Sequence, residues 1–128
     1  MDINTHKLIN NKLCGKPISL KKNYSCVELK AVKEMAADDY GLVHGGFVFS
    51  AADYAAMLAV NHPNVVLGSS SVKFTKPVRV NEIIVLEAEV YEIRKNKHYV
   101  NVKARVNNKI VFEGDFICFI LEKHILAK

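Results

Sequence analysis

The sequence predicts an α+β fold in which an antiparallel β-sheet wraps around a central, mostly buried α-helix. Three observations carry this expectation. One stretch, Gly45–Val60, is rich in Ala, Leu and Met and apolar nearly all round, so as a helix it must be covered on most faces. After Pro63 the pattern changes to period two and β-branched runs that continue almost to the C-terminus. Those runs are long and joined by short turns, which suits antiparallel pairing. One apolar helix and one curved sheet can then cover each other in two layers.

The elements follow in order. Residues 5–14 read as a short N-terminal helix, with Thr5 as its cap, Leu8, Ile9 and Leu13 on one face, and Gly15-Lys16-Pro17 as its stop. Residues 24–35 read as a strand with Val27, Leu29 and Ala31 on one side. Residues 36–43 form a loop of small and acidic residues. The helix over 45–60 ends at Asn61-His62-Pro63-Asn64. Strands are then expected at 65–76, 82–94, 99–107 and 110–123, arranged as a meander. Lys95-Asn96-Lys97 and Asn107-Asn108 are its tight turns, because Asn tolerates positive φ. Pro77 and Asn81 mark the remaining break.

Composition bounds the function. A chain of 128 residues, 50% hydrophobic and 24% charged, reads as one domain over residues 1–128 with a buried core. That balance excludes a disordered chain. No run approaches the ~20 apolar residues of a membrane span, and residues 41–60 are interrupted by His44, Ser50 and Asp53. The opening MDINTHKLINNK lacks an apolar signal core, so a cytoplasmic location is expected. The excess of 18 basic over 13 acidic residues is modest and spread over every segment. It suits a solvated surface or an anionic small ligand, and no basic-aromatic element points to nucleic acid. Cys14, Cys26 and Cys118 form no CxxC pair and the five histidines show no ligand spacing. No metal site and no disulfide framework are expected.

Chemistry concentrates between Gly41 and Asp53. Gly45-Gly46 opens the helix, so another molecule can approach the backbone closely. The free N–H groups of a first helical turn form an oxyanion site in outline; the alternative is that the glycines only permit a tight turn. Asp53 lies within the apolar helix, flanked by Ala51, Ala52, Ala55 and Ala56. A carboxylate there is costly unless it is paired or faces a cavity; the alternative is an exposed helix residue. At ~1.5 Å per residue, Gly45 and Asp53 are about 12 Å apart along the axis. Both can serve one reacting carbon only if two copies meet with antiparallel helices, so a shared site requires a homodimer. His44 either fixes the loop or bonds a substrate carbonyl. Asp38 and Asp39 belong to the same loop.

The segment HGGFVFSAAD resembles the His-Gly-Gly…Asp motif of hotdog-fold acyl-CoA thioesterases, in particular the phenylacetyl-CoA-thioesterase-like branch. SSSVKFTKPVRVNE is similar to that family's strand, proline and polar turn, and the resemblance covers about residues 24–123. It implies a hotdog fold, hydrolysis of a small or medium acyl-CoA and no cofactor beyond the coenzyme A of the substrate. It implies a homodimer, with a tetramer open; the spread of charge and the lack of a helix-turn-helix point to no nucleic-acid partner, and the lack of a long apolar run to no membrane partner. By resemblance, Gly45 with Gly46 polarises the thioester carbonyl, His44 holds the loop, and Asp53 of the other subunit acts as nucleophile or general base. Ser71 positions water or substrate, Lys73, Lys76 and Arg79 meet the coenzyme A phosphates, and Phe47, Phe49, Tyr54, Met57 and Phe74 line an acyl cleft. One departure stands out. Many members of the branch carry an asparagine where this chain has Asp38, and an ionised carboxylate cannot donate to the thioester oxygen. A non-catalytic, regulatory acyl-CoA or lipid-metabolite binding protein is therefore the alternative.

Overall fold

The computed structural model describes residues 1–128. The elements are α1 (Asn11–Cys14), β1 (Lys16–Lys21), β2 (Tyr24–Lys30), a 3-10 turn at Lys33–Met35, α2 (Gly45–Val60), β3 (Val65–Phe74), β4 (Ile83–Arg94), β5 (Lys97–Val106) and β6 (Lys109–Ile120). The six strands form one sheet in the order β1-β2-β4-β5-β6-β3, antiparallel throughout. The expected sheet and central helix are both present.

Alternation along each strand builds the core. Val100, Val102, Ala104 and Val106 of β5 point inward, as do Phe112, Phe116 and Cys118 of β6. They meet Ala51, Ala52, Ala55, Ala56 and Ala59 of α2, each at most 1% exposed. Alanines on the helix bring its backbone close to the sheet, and the larger side chains come from the strands. Phe112 and Phe116 are fully buried, and truncating either to alanine would cost about 3–5 kcal/mol.

Four sequence expectations change. The N-terminal helix is only Asn11–Cys14, because Asn10 is the cap: its side chain accepts from the amides of Lys12 and Leu13, and the positive φ of His6 breaks any earlier turn. β1 was not foreseen; it forms a hairpin with β2 through Asn23, which takes φ 62°. The strand read over 24–35 stops at Lys30 and gives way to the 3-10 turn. The meander holds only for β4, β5 and β6. β3 pairs with β6 rather than β4, because β2 already occupies the outer side of β4 over Ile83–Glu89. The Asn107-Asn108 turn has both residues at positive φ, and Asn61 ends α2 in the left-handed conformation, its amide bonded to the Met57 carbonyl at 2.7 Å.

Candidate functional site

The N-terminus of α2 is held by the loop before it. The Ala37 amide donates to the Leu42 carbonyl at 2.7 Å and the His44 amide to Met35 at 2.9 Å. On the other side, Val43 donates to Val78 at 2.8 Å and Val80 to Gly41 at 2.9 Å. Gly41 takes φ +80°, a conformation that side chains rarely adopt. The Asp38 carboxylate closes the loop from within, accepting from the amides of Tyr40 at 2.9 Å and Leu42 at 3.3 Å. The loop is thus fixed by at least six hydrogen bonds, and the helix start cannot drift.

At that start His44 is the cap by its backbone alone; its side chain makes no capping bond. The carbonyl of His44 accepts from Phe47 at 3.1 Å, whereas the amides of Gly45 and Gly46 donate to no backbone acceptor. These two amides carry the positive end of a 16-residue helix. At either position a side chain would be tight and would need its neighbour to shift. A Cβ on Gly45 would stand 3.0 Å from Cε1 of Phe74, and one on Gly46 would stand 3.0 Å from Nε2 of His44.

A cleft of about 350 Å³ opens beside Gly45. Val43, Val48, Val78 and Val111 make its walls, with Phe74 and Lys76 at its side. It is mostly apolar, with Lys76 as its cation and the helix start at Gly45 on its lining, a setting that suits an apolar group attached to a polarised carbonyl.

Asp53 lies two turns further along α2. Burial pushes its carboxyl up to about 6, and its Oδ1 is buried with no hydrogen-bond partner. It faces β6: its charge, after burial, helps to push the Cys118 thiol up to about 12. Gly46, Phe49, Asp53 and Val60, at spacings of three, four and seven, form a stripe along α2 that keeps some exposure.

Of the expected residues, Gly45, Phe74 and Lys76 line the cleft, His44 and Gly46 flank Gly45 at the helix start, and Arg79 is next to it through a bridge to Leu42. The other expected residues lie apart within the chain. Asp38 turns toward its own loop amides and borders a separate exposed groove. Ser71 and Lys73 are exposed on β3, opposite Asp115 and Glu113 of β6. Phe47 packs edge-on against His44, not in the cleft. Tyr54 and Met57 are core, and Phe49 stacks on Phe116, so of the expected aromatic lining only Phe74 reaches the cleft. The cleft walls Val78 and Val111 were missed, as was Cys118 beside Asp53. Each belongs to an ordinary β-branched or apolar run, and only the register of β3 on β6 and the fold of the Thr75–Asn81 connection bring it to the site.

A glycine-opened helix gripped by a six-stranded antiparallel sheet defines a hotdog protein. Residues 40–111 match the model of the thioesterase superfamily, and the chain belongs to that superfamily. The chain is 53% identical over 121 residues, 94% of its length, to the methylthioribose-1-phosphate isomerase of Aquifex aeolicus, of which it covers 26%. It is 37% identical over 87 residues, 68% of its length, to the transcription factor FapR of Caldanaerobacter subterraneus, of which it covers 44%. It thus spans less than half the length of these curated relatives. Among solved structures, the protein PH1136 from Pyrococcus horikoshii is 50% identical with a TM-score of 0.98, covering 99% of this chain and 98% of that one. The sigma28-regulated virulence protein Cj0977 from Campylobacter jejuni is 31% identical with a TM-score of 0.93, covering 97% and 96%. A hypothetical thioesterase protein with coenzyme A from Streptococcus pneumoniae shares the fold at 19% identity, with a TM-score of 0.77 and coverage of 85% and 87%.

Proposed function

We propose that the chain hydrolyses the thioester of a small or medium acyl-CoA at a site completed by a second copy. The observation that carries this reading is Asp53: a buried carboxylate oxygen without a partner, on the same stripe of α2 as Gly46. Along the axis the two are about 10 Å apart, so one chain cannot bring both to one carbon. Two α2 helices lying antiparallel along this stripe would set each Asp53 opposite the partner's helix start, twice over by symmetry.

The sheet edges favour that arrangement. β1 is a short edge with Lys16, Pro17 and Lys21 along it, the residues that discourage strand addition. β3, the other edge, is ten residues long, and Gly68–Ser71 in its middle are exposed, uncharged and free of proline. Pairing of two β3 strands would continue the sheet and lay the two α2 stripes alongside each other.

In the proposed reaction the Gly45 and Gly46 amides hold the thioester oxygen as it gains charge. Asp53 of the other copy takes a proton from water as the water oxygen bonds to the carbonyl carbon. Collapse of the tetrahedral intermediate breaks the carbon–sulfur bond, and coenzyme A leaves with the proton. Lys76 and Arg79 at the cleft rim, with Lys73 further along β3, meet the phosphates; Ser71 lies on the same edge strand. The bound coenzyme A of the Streptococcus pneumoniae neighbour supports this ligand class through the shared fold.

A second reading is an acyl-CoA sensor without turnover, favoured by the likeness to the transcription factor FapR. Free-thiol release from an acyl-CoA panel, measured for the wild type and Asp53→Asn, separates the two. Turnover that falls at least a hundredfold in Asp53→Asn supports the enzyme. Binding without turnover in both supports the sensor. Light scattering should give twice 14.3 kDa or a multiple of it; a stable monomer with wild-type turnover would overturn the shared site.

A further inference from the structure

We infer that Phe74 is the specificity-determining residue of the cleft: its ring sets the largest acyl group that can reach the Gly45 amide. The inference rests on the acyl-CoA reading above and adds to it the residue that selects among acyl groups.

The geometry is particular to this position. The Phe74 ring lies directly on Gly45, with Cε1, Cδ1 and Cζ at 3.0, 3.4 and 3.5 Å from where a Cβ would stand. On its other side it packs edge-on against the fully buried Phe112, centroids 5.1 Å apart and planes at 74°. Yet the side chain is 55% exposed, because Phe74 is the last residue of the edge strand β3. The ring is thus backed by a rigid neighbour and faces solvent on the outside.

The backbone beneath it is fixed. The Thr75 amide donates to the Val111 carbonyl at 2.9 Å and the Thr75 hydroxyl to the Ile110 carbonyl at 3.0 Å. The opposite wall is packed into the core, Val48 and Val111 being 3% and 4% exposed. Among the apolar side chains lining the cleft, Phe74 is the one that lies against Gly45 and is also exposed enough to turn about its own χ angles. A chain entering the cleft toward Gly45 must pass this ring, and the width at that point is the width Phe74 leaves. Apolar pockets discriminate by roughly tenfold or more per methylene when a wall is fixed.

The test compares wild type, Phe74→Leu and Phe74→Ala over straight-chain acyl-CoA esters from acetyl to dodecanoyl. Both kcat/KM by free-thiol release and affinity by titration calorimetry are measured. Phe74→Ala should move the optimum to longer chains and raise the long-to-short ratio by about tenfold or more, with Phe74→Leu between. An unchanged optimum in both variants, with the ratio within about twofold of wild type, would overturn the proposal. If no protein turns over substrate but all bind, the affinities decide the proposal while the enzymatic reading fails. If the wild type neither binds nor hydrolyses any ester, both fall together. If Phe74→Ala melts below the assay temperature, Phe74→Leu, which keeps an apolar contact with Phe112, decides alone.

Discussion

The Asp53 carboxylate and the Cys118 thiol share one buried corner between α2 and β6. Burial pushes the carboxyl up to about 6 and, together with the charge of Asp53, the thiol up to about 12. Cys118 is directly opposite His98 on β5 and Leu67 on β3, so this corner lies beneath the side of the sheet that ends in the exposed edge. A charge placed there is paid for by the fold unless something outside the chain meets it.

Asp53→Asn should therefore stabilise the fold, in a pH-dependent way. The folded carboxyl titrates above its ordinary value of 3.8, so the folded state holds the proton more tightly than the unfolded one. Below about pH 3 both states are protonated and the variant should gain almost nothing. From about pH 3 to 6 the penalty on the wild type grows, and above about 6 it is constant. Two units correspond to about 3 kcal/mol at most; with the partial exposure of Asp53, a gain of about 1–2 kcal/mol at pH 8 is expected. Urea denaturation at pH 4 and pH 8 checks this, and an equal difference at the two would contradict the buried carboxylate.

The same titration should govern turnover. A general base that ionises near 6 makes kcat/KM rise tenfold per pH unit below that value and level off above it. In Asp53→Asn the residual rate should be lower by about 10²–10⁴ and lose this acid limb. A pH–rate profile of both proteins shows it.

Asp38 acts on the loop that carries His44 and Gly45. Asp38→Ala leaves the amides of Tyr40 and Leu42 without their acceptor and should cost about 1 kcal/mol. Asp38→Asn keeps an oxygen in the same place and should stay within about 0.5 kcal/mol of wild type. Thermal melts and kcat/KM for the pair give the answer: a drop in turnover for alanine but not asparagine marks a positioning role.

Gly114→Ala should strip the edge strand. A Cβ at that position would be 2.5 Å from Cγ1 of Val72 and 3.0 Å from the Ser71 carbonyl, and the backbone oxygen cannot yield. A loss of about 2 kcal/mol is expected. Hydrogen exchange should show β3 amides losing protection before those of β4 and β5.

Much of this was legible in the sequence, for physical reasons. Gly45–Val60 is apolar nearly all round, and such a helix must be buried on most of its faces. Asn107-Asn108 announced its turn because Asn tolerates positive φ, whereas in Lys95-Asn96-Lys97 the positive φ falls on Lys95. The glycine pair and Asp53 stood out because each is anomalous where it sits. What could not be read is long-range. Lys16–Lys21 carries too few apolar residues to look like a strand until β2 is beside it. The placement of β3 next to β6 depends on which edge of β4 is already taken. The cleft walls Val78 and Val111 come from segments that are unremarkable alone, and Tyr54 and Met57 looked like lining because a sequence does not tell a core aromatic from one beside a cavity.

The unequal edges decide how far assembly can go. With Lys16, Pro17 and Lys21 along one end of the sheet, strand addition is discouraged there and favoured across β3. Joining two copies there consumes both open ends and leaves only guarded ones outward. In the proposed dimer the ribbon of strands would end there instead of running on into a fibre, although each protomer alone displays a long, uncharged edge strand of the kind that seeds one.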